Sequence, residues 1–421
     1  MVNCFYLIFC GQDLTLQLFE AALVFLLLIF EFSFDATMEI NQDSRSYEDA
    51  CSSVRNFSNL CYKILTLEEE NSAYSPLSLH LILSLLSHGA RKGTASVLKT
   101  RLFHPETDML TGFKYLISSL INLTDLEFNV ANTIYIQDEI QLIPEFVLTS
   151  AEIFGADVSH VNFKEALNTV KQINSWVATK TGNKIQDIIT LDDIHEDTRI
   201  VIINAIYFKS FWLNKFDAHV TTTQDFRNIH NKVKHVSMMF KSSNFSHGIL
   251  KEFNTRVLEI PYKNQDFKMM ILLPNDVDGL RSLEQKLDWN AISNVHLRRS
   301  KVELFLPKFK VDVKLDLKPS LEKMGMSTIF RDEADFSGIS KTPLKVSQVV
   351  QKVFIEVDEE GSEAAVATGV QMRLRRCLSE DPEEFRVDRP FIFVIYCKPA
   401  NVPLFFGSVR DIGVPAKKDE L

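Results

Sequence analysis

Three arginines within four positions, Arg373, Arg375 and Arg376, followed at once by Cys377, form the densest chemical signal in this 421-residue chain. Guanidinium groups at this spacing offer planar forks to carboxylates, so the run is a ligand for an acidic cleft. Just before it lies Glu359-Glu-Gly-Ser-Glu-Ala-Ala-Val-Ala-Thr368. Here Gly361 is flanked by acids, and Ser362, Ala364, Ala365, Val366, Ala367 and Thr368 are small or β-branched, so they can slot between strands without clashes. The arginines cannot follow them into a sheet interior. The segment therefore reads as a bait joined to a stretch able to become a strand. Cys377 is read as a small residue that fits an enzyme subsite; the competing reading is a thiol activated by the neighbouring arginines.

Other chemistry is sparse. The sequence contains no His-Glu-x-x-His, no Cys-x-x-Cys, no Gly-x-Ser-x-Gly and no phosphate-cradling glycine loop. Its ten histidines are scattered, and His195 beside Glu196 reads as a surface loop. No metal site and no cofactor is expected. Of the six cysteines, Cys4 and Cys10 fall in an apolar leader. Cys51 and Cys61 share one predicted helix and stand about 15 Å apart, too far to bridge. Cys397 lies in an apolar strand as a buried thiol. A net charge of −9 without an extended basic stripe argues against nucleic acid as a partner.

The elements that must hold the bait are legible from periodicity. Val54, Phe57, Leu60, Cys61, Ile64 and Leu65 form a helical stripe ending before Asn71. A second stripe runs through Met109, Leu110, Phe113, Leu116, Ile117, Leu120 and Ile121, with Thr107 and Asp108 as start signals. Val170, Ile173, Trp176 and Val177 mark a third helix, closed by Gly182. From Phe309 to Leu317 apolar and charged residues alternate, which describes a strand with one wet face. Continuous apolar runs at 201–208, 269–273, 391–395 and 404–406 predict buried strands. With 46% hydrophobic content and no linker or repeat, one large α+β domain is predicted.

Several blocks then point to one family. Asn71-Ser-Ala-Tyr-Ser-Pro-Leu-Ser-Leu79, Ile173-Asn-Ser-Trp-Val177, Asn204-Ala-Ile-Tyr-Phe-Lys209, Leu344-Lys-Val-Ser347, Asp388-Arg-Pro-Phe-Ile-Phe393 and Pro403-Leu-Phe-Phe-Gly-Ser-Val409 occur in order around the 359–368 stretch. Together they resemble the inhibitory serpins over roughly residues 44 to 415. The resemblance implies a serpin fold, about nine helices around three β-sheets with an exposed reactive-centre loop near residues 359–387. It also implies a monomer that is not an enzyme but traps a serine protease as a suicide substrate. Glu359, Gly361, Ser362, Ala364, Ala365, Val366, Ala367 and Thr368 would be the hinge of that loop. Ser75, Ser78, Asn204, Ser347 and Gln351 would lie where the main sheet opens, and Trp212, Lys308 and Glu359 at its entrance. Gln351 departs from the family's usual histidine, so titration at that position is lost.

Arg373-Leu-Arg-Arg376 fits the Arg-x-Arg/Lys-Arg preference of furin-like proprotein convertases, with Arg376-Cys377 as the reactive bond. Counting from Gly361 by the family's usual spacing gives Arg375-Arg376 instead, which suits a trypsin-like enzyme. At the C-terminus, Lys418, Asp419, Glu420 and Leu421 spell an endoplasmic-reticulum retrieval signal, with its receptor as a second partner. Residues 1–36 are read as an atypical signal peptide around the apolar run 21–30. The serpin domain is placed at residues 44–417, in the endoplasmic-reticulum lumen or secretory pathway, with secretion as a further destination. Asn56, Asn122 and Asn244 head glycosylation sequons. A non-inhibitory lumenal chaperone is the alternative from another class.

Overall fold

Val54, Phe57, Cys61 and Leu65 bury one stripe of a helix over residues 43–65 (α1), as their spacing predicts. The computed structural model describes residues 43–65, 69–105, 108–121, 126–362 and 382–413. Pro76–Gly89 forms α2, opened by Ser75, whose hydroxyl accepts a hydrogen bond from Ser78 N, and by a proline in the first turn. Lys92–Arg101 is α3. Met109–Ile121 is α4, where the Asp108 carboxylate accepts from Leu110 N and Thr111 N. Pro144–Glu152 is α5 and Ala166–Lys180 is α6. Gly182, at φ +58°, takes the left-handed conformation just after α6. Leu280–Lys286, Trp289–Ser293 and Lys318–Leu321 are α7, α8 and α9.

In chain order the first strands are β1 (Ser72–Tyr74), β2 (Leu126–Gln137), β3 (Asp157–Val161), β4 (Ile200–Phe211), β5 (Thr222–Arg227), β6 (Val233–Leu250), β7 (Thr255–Pro261) and β8 (Phe267–Pro274). Then follow β9 (Arg298–Pro307), β10 (Phe309–Asp316), β11 (Gln348–Val357), β12 (Gly361–Ser362), β13 (Glu383–Arg386), β14 (Phe391–Cys397) and β15 (Val402–Val409). One sheet has the order β10-β11-β4-β2-β3, with β12 added beside β4. The other strands form a network β1-β15-β14-β8-β7-β6-β9-β13, with β5 also on β6. Within it, β6 pairs with β5 over its first residues and with β7 over its last, so one long strand carries both pairings of this nine-stranded sheet. Helices and sheets thus combine in the expected α+β serpin arrangement.

Burial follows the patterns. Every residue of β14 and β15 is buried, while β10 buries Phe309, Val311 and Leu315 and exposes Lys310, Asp312, Lys314 and Asp316. The main core lies between the two strand systems. A second core forms where Ile173 and Val177 of α6 pack on Tyr135 of β2, Val201 and Ile203 of β4 and Val350 of β11. That helix meets the sheet at β2, where Trp176 lies edge-on to Tyr135 with ring centroids 6.3 Å apart. Within the stretch 359–387 expected as a loop, Gly361 and Ser362 belong to β12, and Glu383–Arg386 pairs with β9. Cys51, Cys61 and Cys397 are buried free thiols, and His195 is exposed.

Candidate functional site: a seam in the six-stranded sheet

From Gln348 beside Val201 to Phe354 beside Tyr207, β11 and β4 run parallel and are directly paired. Past that point their pairing stops, and Gly361 and Ser362 instead lie antiparallel to Phe211 and Ser210. Residues 361–362 thus begin an extra strand where the seam parts. Only glycine fits at the first place: its φ is +150°, and a Cβ there would stand 2.1 Å from Ser210 O. Ala364, Ala365, Val366, Ala367, Thr368, Arg373, Arg375, Arg376 and Cys377 lie outside the described residues.

The entrance is held by a clasp of backbone and charge. Trp212 N donates to Glu360 O (2.9 Å), Phe216 N to Glu359 O (2.8 Å) and the Trp212 indole to Asp358 O (2.9 Å). Trp212 is fixed in turn by stacking on Tyr262, with ring centroids 4.7 Å apart. The Asp358 carboxylate accepts from Glu360 N and Gly361 N, closing the turn that feeds β12. Glu359 pairs with Lys308 at 2.7 Å and accepts from the Thr221 hydroxyl at 2.8 Å. Burial alone would raise the Glu359 pKa, but the bonds from Lys308 and Thr221 outweigh it and hold this carboxyl below its ordinary value. Asp358 goes the other way, because burial outweighs its backbone hydrogen bonds. Lys215 pairs with Glu360 beside it. With the Lys308 side chain 41% exposed, its pair with Glu359 contributes up to about 1 kcal/mol.

Further along, the paired part of the seam is fastened by neutral groups. Gln351 Nε2 donates to Ser75 O (3.2 Å) and to Asn204 Oδ1, while Ser75 N donates to Gln351 Oε1 (3.0 Å). The Asn204 amide donates to Ser78 Oγ and to Asn132 Oδ1, and Ser78 Oγ donates to Asn132 Oδ1 (3.1 Å). All five side chains are buried. The network joins the start of α2 to β2, β4 and β11, so parting β4 from β11 breaks the Gln351 to Asn204 bond. Since amides do not titrate, this fastening is insensitive to pH.

The residues expected around the opening separate into groups. Ser75, Ser78, Asn204 and Gln351 meet in the amide network, and Trp212, Lys308 and Glu359 meet at the entrance. Ser347 joins neither; its hydroxyl accepts from Arg199 N (3.0 Å) and its N donates to Ile200 O (2.8 Å), at the far start of the seam. Sequence reading missed Asn132, Lys215, Thr221 and Glu360. Asn132 is one of two asparagines in β2, and strand register places it opposite Asn204. Among the sequons, Asn56 is exposed on α1 although Ser58 is buried with its hydroxyl on Val54 O, and Asn244 is exposed on β6. Asn122, Lys418, Asp419, Glu420, Leu421 and residues 1–36 lie outside the described residues.

Comparison with known proteins gives this geometry a family. The model for serpin (serine protease inhibitor) matches residues 52–412. Human (Homo sapiens) Serpin B3 is 35% identical over 366 residues, covering 81% of this chain and 93% of that protein. Leukocyte elastase inhibitor of Bos taurus is 34% identical over 362 residues, covering 82% and 95%. Among solved structures, Serpin48 of the insect Tenebrio molitor aligns with a TM-score of 0.81 at 33% identity, covering 87% of this chain and 98% of that one. In sequence and in fold, the chain belongs to the serpin family.

Proposed function

We propose that this serpin inhibits arginine-specific serine proteases, and furin-like proprotein convertases in particular, as a suicide substrate. The observation that carries the reading is the seating of Gly361 and Ser362 at the open end of the β4–β11 seam, directly ahead of a run of small residues. In the reaction the protease serine attacks the Arg376 carbonyl, an ester forms, and the amine of Cys377 leaves. Residues from Ser362 onward then extend β12 down the seam before water reaches the ester. The protease, still esterified to Arg376, is carried with them. Arg373, Arg375 and Arg376 supply charge to acidic subsites, and each forked contact adds to affinity for the convertase cleft. Lys418–Asp–Glu–Leu421 would return the inhibitor to the endoplasmic-reticulum lumen, upstream of where such enzymes act.

The test is incubation with furin followed by a denaturing gel. A covalent complex is expected, and Arg373→Ala should abolish it while leaving any complex with trypsin nearly unchanged. A trypsin complex that persists while furin forms none places cleavage at Arg375-Arg376. Clean cleavage by both enzymes, without a complex, overturns inhibition and favours the chaperone alternative.

A further inference from the structure

On the side away from the seam, β10 is the last strand of its sheet, paired with β11 and, among the described residues, with no strand beyond it. In an antiparallel pair alternate residues turn their N–H and C=O groups to the partner, so the intervening residues of β10 turn theirs outward. Among the described residues no backbone hydrogen bond meets those outward groups. A cleft of about 980 Å³ follows this edge, lined by every residue from 308 to 314. Consecutive lining residues mean that the strand presents its edge to the cleft, since a face would contribute only every second residue. Ile412 and Gly413 line the same cleft, and Gly413 is the last described residue, so residues 414–421 leave the fold from its wall.

An open edge is a template for pairing with another strand. Its side chains narrow what this one accepts. Lys310, Asp312 and Lys314 stand exposed on one face with alternating sign, which disfavours an apolar strand or one of uniform charge. Lys314 is engaged by Asp193 at 2.7 Å, and Lys310 sits over the Phe354 ring at 4.5 Å. Among the described residues Asp312 meets only Lys352, at 3.7 Å, and that amine already donates to Gln186 O at 2.6 Å. Asp312 is therefore the least satisfied charge on the edge, and a lysine is what it lacks.

We propose that the occupant of this edge is the chain's own C-terminus, residues 416–421 adding themselves to β10 as a further strand. Pro415 has no N–H to donate, so pairing starts after it. Residues 416–421 span about 20 Å when extended, as residues 309–314 do. With 416–420 abreast of 310–314 in either direction, Lys418 falls opposite Asp312 and Glu420 opposite a lysine. Each cross-strand pair is weak, but Val414 and Pro415 form so short a tether that the effective concentration reaches about 1 mM. Docking closes the edge to a second chain and withholds the last four residues from any receptor. Only that last consequence rests on the retrieval reading; docking is a property of the purified chain and is tested without a receptor, so either can fail alone.

Hydrogen exchange of the full-length chain, followed over residues 309–316, tests the proposal. Lys417→Pro with Lys418→Pro removes a donor in either register and should speed exchange there about tenfold, leaving β14 and β15 unchanged. Asp312→Lys should release the tail to a similar extent, and Lys418→Asp should restore protection in that background. Protection in the parent should not change on dilution. Exchange over 309–316 that ignores the prolines, protection that fades on dilution and so belongs to a second copy at the edge, or an Asp312→Lys loss that Lys418→Asp fails to restore would each overturn the proposal. Because the prolines lie beyond Gly413, their result decides it even if Asp312→Lys unsettles β10.

Discussion

The two ends of the β4–β11 seam are fastened by different chemistry. At the entrance, ionised side chains hold the hinge: Lys308 on Glu359 and Lys215 on Glu360, with both lysines partly open to solvent. Within the paired part, buried neutral amides and hydroxyls hold the strands: Gln351, Asn204, Asn132, Ser75 and Ser78. Exposed charge is screened and individually weak, so the entrance can be unmade by salt, acid or a docking protease. A buried amide network is costly to break, because each freed group loses its partner without gaining water. The contrast teaches where a sheet can be permissive and where it must resist, since a hinge that enters too easily exhausts the metastable state before any protease arrives.

Removing the amide at the centre of the network should have the largest effect. Asn204→Ala strips partners from Gln351, Ser78 and Asn132 together, and should lower native-state stability by about 3 kcal/mol. The urea midpoint of the first unfolding transition measures it; a loss no larger than that of a clasp variant would erase the contrast. Gly361→Ala comes next. With φ at +150° and Ser210 O in the way, alanine should unseat β12 at a cost of about 2 kcal/mol. Proteolysis between residues 358 and 362, absent in the parent and rapid in the variant, is the readout.

Glu359→Gln should cost less, about 1 kcal/mol or below, and the difference from the parent should shrink in high salt. Its pH dependence has a definite sign. Because the folded carboxyl lies below its ordinary value, its contribution is present above that value and lost as pH falls below about 4.5. Stability difference against pH for parent and variant should therefore be flat above pH 6 and converge in acid. The smallest effect near pH 8 belongs to Gln351→His, which can replace the hydrogen bonds. That variant should open a pH dependence between 5 and 7 that the amide network lacks. A parent seam that already weakens there relative to Gln351→His would contradict the assignment of neutral chemistry to it.

Much of this contrast could be read from the chain, and the remainder shows what one dimension hides. The α1, α4 and α6 stripes and the runs that became β4, β8, β14 and β15 were legible because burial imposes a period on side chains. Asn204 and Gln351 were legible through resemblance. Asn132 was not, because β2 also carries Asn129 and only strand register brings Asn132 opposite Asn204. Lys215, Thr221 and Glu360 are ordinary polar residues until the turn after β4 sets them beside the hinge. Ser347, grouped with Gln351 through resemblance, bonds instead to Arg199 N and Ile200 O at the start of the same seam, a separation only the strand register reveals.

All these contacts serve one claim, that cleavage lets the stretch beginning at Ser362 complete the strand that β12 starts. The direct measurement is the unfolding temperature of the purified chain before and after limited cleavage at the arginine run, in the same buffer. The cut form should unfold tens of degrees higher, with new exchange protection along β4 and β11. Equal unfolding temperatures, with β4 and β11 unchanged in protection, would contradict it.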